Sequence, residues 1–212
     1  MSAAISVNLA ALAACLKVAP KNAKESEGRE YLQGVYFDRD RLTATDRKVL
    51  VTIGEAVARD DDSAQVPEYP PFILPYDAAL EICRAAKPCR VEAVTLALGD
   101  ASLECPLGYR TLAYTLDRSV QFPDYRYIVP RSVSLEPAQF NPAILARVQD
   151  ALDIYRKSEL LPLLHTDGPN KGALITRPDC ENFLAVVMPY RVKEVAESVP
   201  SALAKFHGEP RT

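Results

Sequence analysis

Apolar and polar positions alternate along this chain in a pattern that repeats three times. Between Val7 and Lys21, Leu9, Leu12, Ala13 and Leu16 fall on one face of a helix. Three short apolar runs follow, Gly34–Phe37, Arg41–Ala44 and Val49–Ile53, with polar breaks at Asp38–Asp40 and Thr45–Arg47. Runs of that length between polar turns predict strands. The acidic stretch Arg59–Gln65 reads as a linker. The pattern then returns: a strand at Phe72–Leu74, and Pro75 in the first turn of a helix running to Ala86. Strands are predicted at Val91–Leu98, Ser102–Cys105 and Thr111–Leu116, with Gly99, Asp100 and Gly108 at the turns. A third copy starts with a strand at Val133–Leu135 and a helix over Pro142–Tyr155. Its strands are Leu160–His165, Ala173–Thr176 and Phe183–Met188, the first turn being Asp167–Asn170.

Each copy is strand, helix, then three strands, which makes the chain α+β. One unit cannot close a core, because its helix covers only one face of a four-stranded sheet. Two units can, with helices side by side on two edge-joined sheets. The expected divisions are residues 1–66 and 67–130, which pair as one domain, 131–192 as a half domain, and 193–212 as a C-terminal extension.

Composition changes this picture little. The chain has 212 residues, 48 % hydrophobic and 25 % charged, as in ordinary globular proteins. A net charge of −3 excludes a wholly basic nucleic-acid coat but leaves room for a basic face on an acidic body. Cys15, Cys83, Cys89, Cys105 and Cys180 have no metal-ligand spacing. Cys15, Cys83 and Cys180 sit among apolar neighbours and read as buried reduced thiols, which suits the cytoplasm. The Ala- and Leu-rich N-terminus lacks a basic leader, and no apolar window is long enough to span a membrane.

Nothing in the sequence points to catalysis, a metal or a cofactor. His165 and His207 have no cysteine or carboxylate at ligand spacing, and eight glycines form no phosphate-cradling loop. Asp60–Asp62 offers a metal-dependent nuclease as a minor alternative, against the reading of a solvated charge run. Tyr125 and Tyr127 read as packing residues rather than nucleophiles.

Three motifs, the third in two pieces, carry a resemblance. Phe122–Pro130 reads FPDYRYIVP, and Val186–Arg191 reads VVMPYR. Arg29–Gly34 reads REYLQG, and Leu42–Leu50 reads LTATDRKVL. Together they resemble the interdomain linker, the C-terminal segment and the R-x-Y-L-N-G and A-T-D-G-H-R-L stretches of the bacterial DNA polymerase III beta subunit, the sliding clamp. The resemblance implies a DNA-clamp-like fold, with antiparallel sheets outside and helices on one face. It covers residues 1–192 as a shortened form, the family's middle domain joined to the last half of its final domain. A phage, prophage or plasmid replication system would suit such a form.

The resemblance also implies a site. In the family these segments meet in a groove for partner peptides carrying a glutamine and a leucine–phenylalanine anchor. Here that places Arg29, Leu32, Thr45, Arg47, Lys48 and Leu50 on one side. Pro123, Tyr127 and Ile128 come from the linker, and Val186, Val187, Met188, Pro189, Tyr190 and Arg191 from the C-terminal segment. The bland reading of these residues is core and linker packing. Arg47 and Lys48 replace the family's glycine and histidine, which implies a narrower and more cationic floor. Clamp helices face the central hole, so Lys17, Lys21, Lys24, Arg84, Lys87, Arg147, Arg156 and Lys157 are the candidate DNA-facing residues. Asp77, Glu81, Asp150 and Asp153 share those helices, and cations at helix C-termini also serve the dipole.

The function implied is a non-enzymatic processivity factor: a ring around duplex DNA, without sequence preference, that tethers a polymerase. A clamp loader is a further implied partner, through the same kind of short peptide. An adaptor or competitor that binds such peptides or a host clamp without encircling DNA is the alternative. Rings of this architecture have twelve units, so three per chain implies a homo-oligomer, a tetramer ahead of a dimer. After Lys193, Val195, Val199, Leu203 and Phe206 fall at helical spacing interrupted by Pro200. That tail reads either as an added surface segment or as an occupant of the groove.

Overall fold

The computed structural model describes residues 3–22, 24–59, 68–133 and 138–190. The first unit opens with strand β1 (Ala3–Asn8), followed by helix α1 (Leu9–Leu16). The spacing that predicts one helix over Val7–Lys21 therefore belongs to two elements. Asn8 divides them: its backbone is extended while its side chain accepts a 2.9 Å bond from the N–H of Ala11, an N-cap. Strands β2 (Gly34–Asp38), β3 (Arg41–Thr45) and β4 (Val49–Ile53) follow as expected. A short β5 (Val57–Arg59) lies where the linker was expected to start, and residues 60–65 of that linker, with Asp60–Asp62, lie outside the described residues.

The second unit holds β6 (Phe72–Pro75), α2 (Tyr76–Ala86), β7 (Ala93–Leu98), β8 (Ser102–Leu107) and β9 (Arg110–Thr115). Pro75 ends β6 and precedes the helix instead of opening its first turn. The third unit holds α3 (Pro142–Tyr155), β10 (Leu163–His165), β11 (Ala173–Thr176) and β12 (Phe183–Val187). Helix α3 has the predicted bounds, set by Asn141 as cap, whose Oδ1 accepts from Ala143 N at 2.9 Å, and by Pro142 in the first turn. Strand β10 starts after Pro162, which has no N–H to give a ladder. Of the expected strand Val133–Leu135, only Val133 is described, and it is exposed coil.

The strands form two sheets, ordered β5-β1-β7-β8-β9 and β10-β11-β12-β4-β3-β2-β6. Their pairing corrects the expectation that each unit keeps its own four strands. β1 pairs antiparallel with β7, from Ala3↔Leu98 to Asn8↔Ala93. β6 pairs antiparallel with β2, from Gly34↔Pro75 to Phe37↔Phe72. Units one and two have exchanged their leading strands, so neither sheet closes without the other. Unit three joins them through β12 and β4, from Phe183↔Ile53 to Val187↔Val49.

The helices lie along one side, α1 between α2 and α3. The small side chains of Ala11, Ala14 and Cys15, fully buried beside Leu12, let α1 sit close to both neighbours. The core continues through Ile5, Phe37, Val51, Ile82, Leu96, Leu152 and Phe183. Arg177 is buried in the third unit. Its Nε donates to Asp179 Oδ1 at 2.6 Å and its Nη2 to the Arg156 carbonyl at 2.5 Å, fastening the end of α3 to the turn after β11. All five thiols are free, with Cys15, Cys105 and Cys180 buried, Cys83 half-buried and Cys89 exposed. Burial pushes the Cys83 thiol up to about 11 and Cys15 further still. Among the described residues no helix is long and apolar enough to cross a membrane.

Candidate functional site

The seven-stranded sheet is apolar on both faces at its centre. In β4, Val49, Val51 and Ile53 face the helices, while Leu50 lies in a second cluster with Val186 and Tyr125. In β12, Phe183, Ala185 and Val187 face the helices, and Leu184 and Val186 belong to the outer side. Alternation along a strand sends neighbours to opposite faces, so continuous apolar strands need a cover on both. The outer cover is the linker. Phe122 stacks on Tyr36 with ring centroids 4.5 Å apart, and Tyr125 meets Phe122 edge-on at 6.2 Å. The turn Tyr125–Ile128 is capped by Asp124, which accepts from Arg126 N at 3.1 Å.

The register of β12 on β4 brings the C-terminal motif to this cover. Val186 pairs with Leu50, and Met188 N donates to the Lys48 carbonyl at 2.8 Å. Gly172 lets them close in: a Cβ there would stand 2.9 Å from Val186 Cγ1, 3.7 Å from Met188 Sδ and 3.7 Å from the Ile128 carbonyl. Linker, C-terminal segment and β4 thus converge on one apolar site at the junction of units one and three. Ile128 is 38 % exposed, Tyr127 79 % and Tyr190 69 %. Met188 and Pro189 are half-buried and Pro123 is exposed. Leu32, Leu50, Val186 and Val187 are buried, and Val187 faces the helices, away from the outer cluster. Tyr125 is buried as a packing residue, whereas Tyr127 stands in solvent. Arg191 lies outside the described residues.

The Thr45–Lys48 stretch builds a turn beside this site. Thr45 Oγ1 donates to the Val49 carbonyl at 2.8 Å and accepts from Arg47 N at 3.1 Å. Asp46 Oδ1 accepts from the N–H groups of Lys48 and Val49, both at 2.9 Å. Thr45 and Asp46 are therefore turn formers. Arg47 follows at φ 77°, in the left-handed region, which explains why a glycine suits that position. Its guanidinium turns to Glu27, and Arg29 and Lys48 lie near the same carboxylate, so three sequence-predicted cations surround one acid.

The Arg47 hydrogen bond holds the Glu27 carboxyl below the usual carboxylate range. That contribution is present above the ordinary carboxylate pKa and is lost as pH falls through the lowered value, so Arg47 stays paired at neutral pH. Arg47→Gly trades left-handed strain of roughly 1–2 kcal/mol against the unfolded-state entropy of glycine and a solvent-facing ion pair. Its net effect on stability is expected to stay within about 1 kcal/mol, a melting shift of about 4 °C at most. A thermal melt with a larger loss would make Arg47 a structural tie rather than a rim residue.

On the helix side, Lys17, Lys21, Lys24, Arg84, Lys87, Arg156 and Lys157 are exposed. Lys17 pairs with Asp150 at 3.4 Å, both largely exposed. Arg147 is different: its guanidinium donates to Asp46 Oδ2 at 2.7 Å, to the Val18 carbonyl at 3.0 Å and to the Lys17 carbonyl at 3.3 Å. It ties α3 to the end of α1 and to the Thr45–Lys48 turn. Its charge is spent inside the protein.

Sequence reasoning named Phe122 only as part of the linker motif and missed Tyr36, Leu174 and Gly172, which with it build the outer cluster and its close approach. The available signal was the apolar residues at alternate positions of β4 and β12. It also missed an open cleft of about 620 Å³ beside the linker, where Arg39, Arg41, Arg126 and Arg131 face Asp38 and Asp40. No group of three metal-ligating side chains occurs among the described residues.

No family model matches the chain, and no curated protein matches it. Its similarity is to solved bacterial sliding clamps. The beta sliding clamp of Caulobacter crescentus superposes with a TM-score of 0.69 at 17 % identity, over 89 % of this chain and 65 % of that one. The Bacillus subtilis sliding clamp gives 0.68 at 14 %, over 89 % and 64 %. The DNA polymerase III subunit beta of Bartonella birtlesii, bound to griselimycin, gives 0.63 at 20 %, over 90 % and 66 %. The fold is that of the sliding clamp. The chain spans about two thirds of the length of those proteins.

Proposed function

We propose that this chain is a shortened sliding clamp. Copies of it assemble as a ring on duplex DNA and hold a polymerase or another DNA enzyme by a short peptide. The observation that carries this reading is the convergence of Ile128, Val186 and Met188 at the β4–β12 junction, on a sliding-clamp fold. Adaptable apolar side chains on segments that end strands suit a linear peptide. Tethering of this kind works by effective concentration and asks nothing catalytic of the protein. The DNA-facing cations are Lys17, Lys21, Lys24, Arg84, Lys87, Arg156 and Lys157, contacting phosphates without sequence preference. The place of work is the cytoplasm.

The test is retention on DNA of two topologies. The protein is expected to stay on nicked circular plasmid in high salt and to be lost when the plasmid is linearised, because a ring slides off ends. Reversing Lys17, Lys21 and Arg84 to Glu is expected to lower low-salt binding at least tenfold and to flatten its salt dependence by about 0.9 log units per phosphate contact removed. Arg147 is left out, since a carboxylate there would oppose Asp46. Equal retention on circular and linear DNA would remove the ring and leave the adaptor that binds peptides without encircling DNA.

A further inference from the structure

The outer face of the seven-stranded sheet carries a second feature beside the apolar junction. Strands β2 and β3 are joined by a tight turn: Asp38 pairs with Arg41, leaving Arg39 and Asp40 at the tip. Arg39 sits at φ 56°, in the left-handed region, and its carbonyl accepts from the Tyr69 hydroxyl at 2.5 Å. Between this turn and the end of the linker opens the cleft of about 620 Å³, walled also by Thr52 of β4 and Leu184 of β12. Tyr125, Val129 and Leu184 belong both to the cleft wall and to the outer apolar cluster. Cleft and junction therefore share one sheet face and one linker turn.

The charges in this cleft do not balance. Four guanidinium groups, those of Arg39, Arg41, Arg126 and Arg131, face the two carboxylates of Asp38 and Asp40. Arg126 meets Asp38 at 3.6 Å and Arg41 meets Asp40 at 3.7 Å, both longer than a hydrogen bond. Arg126 also lies 3.3 Å from Asp124, which is not on the cleft wall. Arg39 and Arg131 have no acidic partner among the described residues. All four arginines are exposed, so their N–H groups stay open to an anion. Guanidinium forks match carboxylates two bonds at a time, which a lysine cannot do.

We infer that this cleft receives an acidic flank of the same peptide whose apolar anchors occupy the junction, its Asp and Glu carboxylates lying on Arg39, Arg41 and Arg131. The inference rests on the peptide-tethering reading and adds to it what selects among peptides. Arginine clusters recur as readers of acidic motifs. Continuity supports one occupant for both places. Lys48 at the junction and Thr52 at the cleft stand four residues apart on β4, about 13 Å at the rise of a strand. An extended peptide covers that span in about four residues. The unpaired cations come from two separate elements, the β2–β3 turn and the linker, which fits carboxylates spread along a chain better than one compact anion. Asp38 and Asp40 between them oppose a continuous phosphate backbone, and the cations proposed to face DNA lie on the helix side.

The experiment is titration calorimetry of the full chain with a plain anchor peptide and with two extended forms of it. These carry a run of glutamates about four to six residues from the anchors, one on the N-terminal side and one on the C-terminal side. One of the two is expected to bind wild type about tenfold tighter than the plain peptide, the effect of two or three exposed ion pairs. That gain is expected to vanish between about 0.1 M and about 1 M salt, as the Debye length falls from about 10 Å to about 3 Å. Arg39→Glu with Arg131→Glu is expected to remove the gain and leave the plain peptide's affinity unchanged. Arg39→Gln with Arg131→Gln, at side chains already in water, is the milder variant and is expected to remove most of it. A lysine flank is expected to bind the reversed variant more tightly than wild type. A plain peptide that binds with no gain from either glutamate flank overturns the inference and leaves the junction standing. A gain that survives in both variants also overturns it, moving the flank to other cations such as Arg47 and Lys48. So does a short single-stranded oligonucleotide that binds wild type more tightly than the acidic peptide and fails on the variants, which gives the cleft to nucleic acid. Binding by none of the peptides removes the proposed function and this inference with it.

Discussion

Replacing Ile128 and Met188 together with aspartate is expected to abolish capture of a short peptide carrying a glutamine and a leucine–phenylalanine anchor. The two residues belong to different segments, the linker turn and the stretch after β12, and the Ile128 carbonyl and the Met188 sulfur both approach Gly172 beside Val186. Burying an apolar anchor against such a site is worth roughly 1.5–3 kcal/mol, so two anchors contribute roughly 3–6 kcal/mol before ordering costs. A carboxylate in each place removes the contact and must be stripped of water for the peptide to sit. Affinity is expected to fall at least 100-fold, about 2.8 kcal/mol. The fold should survive, because Ile128 is 38 % exposed and Met188 is half-buried. Titration calorimetry measures the affinity, and a melt within about 3 °C of wild type confirms the fold. Equal affinity in wild type and the double variant would take the peptide site away from this junction.

Gly34→Ala is expected to be the most damaging single-methyl change described for this fold. A Cβ at Gly34 would stand 2.2 Å from the Leu74 carbonyl oxygen and 2.9 Å from Ile73 Cγ2. The oxygen is backbone, so relief requires β6 to move off β2. That pairing, Gly34↔Pro75 to Phe37↔Phe72, is one of the two strand exchanges that lock units one and two. The cost is expected near the upper end of overpacking, about 3 kcal/mol, and a melting drop of about 6–12 °C. Gly54→Ala is the control: its nearest atom is the Asn182 carbonyl at 3.9 Å, so no clash arises there. A Gly34→Ala protein that melts with the control would mean the β2–β6 edge is looser than described. The glycine of the REYLQG motif is thus explained by a close approach of strands, whatever the neighbouring residues do in the groove.

Local chemistry made much of this molecule legible. Helix α3 was readable to its last residue because Asn141 and Pro142 mark its start and the apolar spacing runs unbroken to Tyr155. β1 was not readable as a strand, since Ala3–Asn8 merges in composition with the Ala- and Leu-rich helix behind it. The resemblance motifs lie at one junction, where Ile128, Val186, Met188, Leu50 and Lys48 come together. It also separates the members of that set: Val187 belongs to the helix-side core, and Thr45 holds a turn.

The sequence by itself determined the recurring order of a helix followed by three strands, and the places where chains of this pattern turn. Those features come from spacing and caps, which act within a few residues. Only the tertiary structure decided that leading strands cross between units one and two, that β12 seats on β4, and that Arg147 is consumed by Asp46 and the end of α1. Alternation states that a strand has a buried face but not which edge lies beside it. A lone arginine on a helix reads the same whether it meets solvent or a carboxylate more than one hundred residues away. Partners at such separations are chosen by which edges and charges remain unmatched once every unit has folded, and that is a property of the assembled chain.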